Sequence, residues 1–255
     1  MNEAIVGLAV LTAVAVTGAA VGILLGSVAR RRLELLVHFA TGALLAVTLF
    51  DILPEAKTEL SWGIFVPAVA FGYALLWAVG RFVYHVCPAC AIAHMEHTPQ
   101  LLDRRQLLLL AIALGVHCSL DGVAVVAGSD LPARAGPGLL LGLGMHKLPE
   151  GLALGLLLVG GGFVKSKALL RATAIESLTA IGGVLGIVFF REASVKYVGV
   201  TFALVGGGFL YLVINALSGA LGHEMQLGRI KGLAMQGLSC ACTGAVLWAL
   251  DRCVA

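Results

Sequence analysis

Two segments near the middle of the chain repeat one pattern, GVHCSLDGVA beginning at Gly115 and GMHKLPEGLA beginning at Gly144. Each sets a histidine four residues before a carboxylate, His117 with Asp121 and His146 with Glu150. On a helix that spacing puts both side chains on one face, one turn apart. Neutral imidazoles suit zinc and other first-row divalent ions, and carboxylates supply compensating charge, so the two half-sites together have the donors for one divalent cation. Pro149 removes the backbone donor to the Met145 carbonyl and loosens the second copy, whereas the first has Leu120 at the equivalent place.

Lys147 is the odd member of this stretch, a cation beside His146 and three residues before Glu150. Unpaired, it would repel a metal. It is expected to pair with Glu176, and with Glu150 as well, as a built-in positive charge where a second ion would otherwise sit. Two plainer roles compete: a static polar network fixing helix register, and a Lys147 that snorkels toward a water-filled cavity.

These residues need elements to position them. The 255-residue chain is 60% hydrophobic and 12% charged, with a mean hydropathy of +1.00, and its apolar runs reach the roughly 20 residues that span a bilayer. That composition predicts an all-α integral membrane protein, one transmembrane domain over residues 1–255. Eight spans are expected, over residues 4–28, 35–53, 62–86, 107–128, 139–163, 168–190, 197–221 and 233–250, the second closing at Pro54 in DILPEA. The first run has no basic residue before it and Arg30, Arg31 and Arg32 after it, the reverse of a secretory signal. Both termini are then outside, and 11 of the 17 basic residues fall on the cytoplasmic side. The location expected is multi-pass in a membrane, the cell's inner membrane if the source is prokaryotic.

Consecutive spans run in opposite directions, so the two copies are antiparallel. Transporters built from inverted repeats place a midplane site in this way. Small residues around the motifs, among them Gly115, Gly122, Gly151 and Gly155, let the backbones approach. Ionisable groups at the bilayer centre cost at least about 2.5 kcal/mol each on insertion scales, so a task and a partner are expected for them.

HCSLDG, HKLPEG and DILPEA, in this order along eight spans, resemble the motifs of the ZIP (Zrt- and Irt-like protein) family of metal transporters across essentially the whole chain. The resemblance implies a 3+2+3 bundle in which spans 1 to 3 are related by inversion to spans 6 to 8. It implies movement of divalent metal toward the cytosol, most often zinc, with cadmium, iron and manganese as further cargoes. By position, His117, Asp121, His146 and Glu150 match the primary metal site. Cys118, Lys147 and Glu176 match positions that build a second, adjacent site, and Lys147 departs from the usual ligand there. Span 7 also departs, with Asn215 and ALSGAL where relatives carry carboxylates, so no ligands are assigned to it.

Away from the centre, Asp51 and Glu55, with Glu59 and Asp130, form an acidic outer rim suited to an entrance. The loop over residues 87–106 is expected in the cytoplasm, where reduced Cys87 and Cys90 with His85, His94 and His97 read as a soft metal patch. His38, His223 and Glu224 lie toward the same side, as exit groups or as solvated helix ends. The net charge of +3 sits mostly in cytoplasmic loops and does not point to nucleic acid. The partners expected are the metal ion and the lipid bilayer, with a homodimer left open. Two other functions compete with a carrier. An intramembrane metallohydrolase needs three ligands and an open position, and the chain has no HExxH. A thiol oxidoreductase using Cys87 and Cys90 needs that loop on the oxidising side, against the charge bias. The expectation is a carrier and not an enzyme.

Overall fold

Inside a bilayer each backbone N–H and C=O must be bonded within its own segment or to a neighbouring strand, and this chain answers with helices. The computed structural model describes residues 2–25, 30–82, 104–129, 135–190, 195–222 and 229–254, and no strand occurs among them. The helices are α1 (Asn2–Leu25), α2 (Arg30–Val47), α3 (Leu53–Glu59), α4 (Trp62–Phe82), α5 (Arg104–Ser129), α6 (Ala135–Gly160), α7 (Lys165–Glu176), α8 (Leu178–Phe190), α9 (Val195–Gly222) and α10 (Arg229–Val254).

Among the described residues, 7 helical stretches are long and apolar enough to cross a membrane: Glu3–Leu25, Leu35–Glu59, Trp62–Arg81, Leu107–Ser129, Lys165–Val188, Lys196–Ser218 and Ile230–Ala249. By length and composition the chain is therefore a multi-pass helical membrane protein. The remaining long helix, α6, has 26 residues and would reach about 39 Å at 1.5 Å per residue. Its apolar run is interrupted by His146, Lys147, Pro149 and Glu150, which lower its hydropathy. Pro149 lies inside this helix, which is continuous from end to end.

The expected stop at Pro54 is corrected by the structure. Thr48–Ile52 forms a π-helical turn in which the Leu53 N–H bonds the Thr48 carbonyl, and α3 then carries the helix on to Glu59. A proline ring collides with the carbonyl four residues back in an α-helix, and widening the turn before it moves that carbonyl aside. The segment around Glu176 departs from expectation too: α7 and α8 are separate helices meeting at Ser177. The Ser177 hydroxyl donates to the Thr173 carbonyl at 2.6 Å, and the Ala180 N–H restarts the helix on the Ser177 carbonyl at 3.0 Å.

Four helix pairs make the closest seams: α1 with α6, α5 with α8, α4 with α9, and α2 with α10. In each, glycines bring backbone against backbone. A Cβ at Gly151 would strike the Ala15 carbonyl and one at Gly18 the Leu148 carbonyl; Gly122 and Gly182 stand in the same way against Thr179 and Ser119. Gly72 meets Leu204, Gly207 meets Val69, and Gly42 meets Gln236. Large apolar side chains such as Phe71, Trp77, Leu170 and Val188 point outward, as a lipid-facing surface requires.

Candidate metal centre

The repeats occupy the middle of α5 and α6 and meet across the seam between them. His117 and His146 face each other edge to face with ring centroids 5.7 Å apart. Between them stands Glu150: its Oε2 is 3.0 Å from His117 Nε2 and 3.3 Å from His146 Nε2. One ligand atom from each of these three residues lies within 4.8 Å of the others, the convergence a metal ion requires. His117 Nε2 and Glu150 Oε2 are fully buried yet take part in no hydrogen bond of good geometry. Polar atoms brought so close and left unsatisfied suit a cation that would bind them all.

The other oxygen of Glu150 looks the opposite way. Its Oε1 is 2.5 Å from Lys147 Nζ and 3.8 Å from Cys118 Sγ. Cys118, Glu150 and Glu176 form a second convergent group, and Lys147 lies against it, with Nζ 3.2 Å from Cys118 Sγ and 3.6 Å from Glu176 Oε2. Lys147 is wholly buried, as are Asp121, Glu150 and Glu176. Snorkelling is therefore excluded, and the pairing expected with Glu176 and Glu150 is present. Glu176 closes the C-terminal turn of α7, where the carbonyl dipoles disfavour a carboxylate, and the ammonium beside it offsets that.

Asp121 stands between His117 and Lys147. Its Oδ2 is 3.6 Å from His117 Nε2 but 2.8 Å from Lys147 Nζ, so its nearest partner is the ammonium and it is not in the convergent set with the two histidines. The repeat register carried the signal for this contact. Matching the copies sets Cys118 opposite Lys147 and Asp121 opposite Glu150, and in an antiparallel pair the second position of one copy faces the fifth of the other.

Asp51 and Glu55 lie away from the centre, in the π turn and α3. They line one end of a cavity of about 850 Å³ bounded by α2, α3, α9 and α10. His38 is buried, not solvated, with Nδ1 2.9 Å from Gln236 Nε2 in the α2–α10 seam. His85, Cys87, Cys90, His94 and His97, with Asp130, His223 and Glu224, lie outside the described residues. Compared with models of known protein families and with curated proteins, the chain matches none.

Proposed function

We propose that the protein is a carrier, and not an enzyme, for divalent transition-metal ions, zinc foremost, with cadmium, iron and manganese as further candidates. In this reading it is a ZIP-like transporter moving metal toward the cytosol. His117, His146 and Glu150 supply the first ligands and Asp121 a neighbouring negative charge.

The observation that carries this reading is the charge of the buried cluster. Asp121, Glu150 and Glu176 surround one ammonium, Lys147, leaving two negative charges when all are ionised and the imidazoles are in their neutral, ligating form. One divalent cation between the histidines and Glu150 makes the whole cluster neutral. A low-dielectric site strongly favours that state. Lys147 fills the adjacent pocket of Cys118, Glu150 and Glu176, so the stoichiometry is one ion per chain.

The helix pairing supports an eight-span, 3+2+3 inverted repeat. Counting α2 with α3 and α7 with α8 as single spans, the close pairs are span 1 with 5, 4 with 6, 2 with 8 and 3 with 7. Exchanging 1 with 6, 2 with 7, 3 with 8 and 4 with 5 maps this set onto itself. The antiparallel copies then lie about one axis, at the depth expected of a midplane site.

The test is uptake of zinc or cadmium into proteoliposomes by the unmodified chain, His146→Ala and Glu150→Ala. Uptake that either variant abolishes is the expected result; uptake unchanged in both removes the site from the mechanism. Two tightly bound transition ions per chain in the unmodified protein would overturn the role given to Lys147.

A further inference from the structure

The faces of the metal centre are closed in two different ways. Toward α1 and α8 the walls are backbone on backbone: Gly151 of α6 stands against the Ala15 carbonyl and Gly122 of α5 against the Thr179 carbonyl. Such seams open only if whole helices part. Toward α2 and α9 the wall is made of side chains. A small void of about 10 Å³ touches His146 there and is otherwise lined by Val37, Ala40, Thr41, Leu44, Leu212, Val213 and Ala216. His146 is also the most exposed of the side chains that form the centre, at 6%, against 1% for His117 and 0% for Glu150.

On the far side of that wall lies the cavity of about 850 Å³, and Thr41 and Val213 line both spaces. One end of the large cavity carries Asp51, Glu55 and Thr58. Gly138, at the start of α6, closes against Asp51 and Leu247 at the same end. Acidic groups at the mouth of a low-dielectric cleft concentrate cations. Farther in, Thr41, Gln236 and Cys240 offer polar atoms along otherwise apolar walls.

We propose that this cavity between α2, α9 and α10 is the vestibule from which a divalent cation reaches the centre, and that Leu44 and Val213 are the side-chain gate in front of His146. The inference rests on the metal-centre reading above and adds the route. Rotation of a leucine or valine side chain takes far less than the separation of two glycine-packed helices, so this wall is the one that yields. Val213 lines both spaces, and Leu44, 1% exposed, lines the void beside His146.

The test uses Co²⁺ as the probe on the purified full chain in detergent, reading its visible absorption at equilibrium and during rapid mixing. Val213→Ala thins the gate. Gly237→Trp narrows the vestibule, and Gly237 is suited to this because it lines the cavity and a Cβ there meets nothing within 4 Å; a thermal midpoint equal to that of the unmodified chain checks that the variant is folded. Both variants are expected to bind as much Co²⁺ at equilibrium as the unmodified chain. Association should be several-fold faster for Val213→Ala and several-fold slower for Gly237→Trp. Unchanged rates in both, with equilibrium binding intact and lost in His146→Ala, would overturn the route and leave the centre standing. Co²⁺ binding that His146→Ala does not alter would overturn the centre itself, and the route with it.

Discussion

Lys147 and Glu150 sit three residues apart on α6 and meet at 2.5 Å, Nζ to Oε1, both buried. That contact divides the carboxylate between two duties, since its Oε2 faces the histidines. Removing the ammonium leaves Asp121, Glu150 and Glu176 uncompensated, and breaking a buried pair from one side costs about 3–5 kcal/mol. Lys147→Met is therefore expected to lower the thermal midpoint in detergent markedly, with Lys147→Met/Glu176→Gln recovering part of the loss. A double variant no more stable than the single one would show that Glu176 is not coupled to Lys147.

Asp121 and His117 are one turn apart on α5 and 3.6 Å apart, with Asp121 nearer Lys147 at 2.8 Å. His117→Ala should lose most Co²⁺ affinity. Asp121→Asn should keep one bound ion and instead lose stability, by about 1–3 kcal/mol for the weakened charge-assisted contact. Equilibrium titration and thermal unfolding of the two variants separate these effects, and complete loss of binding in Asp121→Asn would make that carboxylate a ligand.

Glycines of the same type should respond in opposite ways. Gly151→Val drives a side chain into the Ala15 carbonyl, and overpacking of this kind costs about 1–3 kcal/mol or more. Gly237→Ala meets open space and should be neutral or slightly stabilising. Detergent thermal unfolding of both reports the difference, and equal midpoints would contradict the α1–α6 seam.

Ser177 is expected to tolerate change in one direction only. Ser177→Ala loses the bond to the Thr173 carbonyl, worth about 1 kcal/mol, and keeps the break between α7 and α8. Ser177→Pro also removes the N–H that bonds the Thr173 carbonyl and should displace Glu176, read as a larger fall in thermal midpoint and in bound Co²⁺. Equal effects of the two would mean that the break does not position Glu176.

Helix content and the central cluster were legible in the sequence because both depend on local rules. A spacing of four puts His146 and Glu150 on one face whatever surrounds them, and long apolar runs in lipid leave the backbone little choice but the helix. The π turn before Pro54 and the break at Ser177 were not legible, since each settles a competition between local hydrogen bonds and packing that single-residue preferences do not resolve. Asp121 lies 3.6 Å from His117, as the spacing of four implies, and closer still to Lys147, a contact less easily read. Its spacing to His117 was visible in one segment, while its closer approach to Lys147 required the register of two. The wall of Leu44 and Val213 had no sequence signal, because such residues are ordinary in any membrane helix.

The short contact within α6 also bears on how the chain is made. On the eight-span reading, α6 is the segment least able to partition into lipid unaided, because two ionisable groups would each cost about 2.5–3.5 kcal/mol at the bilayer centre. Lys147 and Glu150, one turn apart on the same helix, can neutralise one another as soon as that turn forms. The helix thus carries its own counter-ion during biogenesis, before Glu176 has been synthesised, and its ammonium is already in place for Asp121 of the preceding span as the two segments meet.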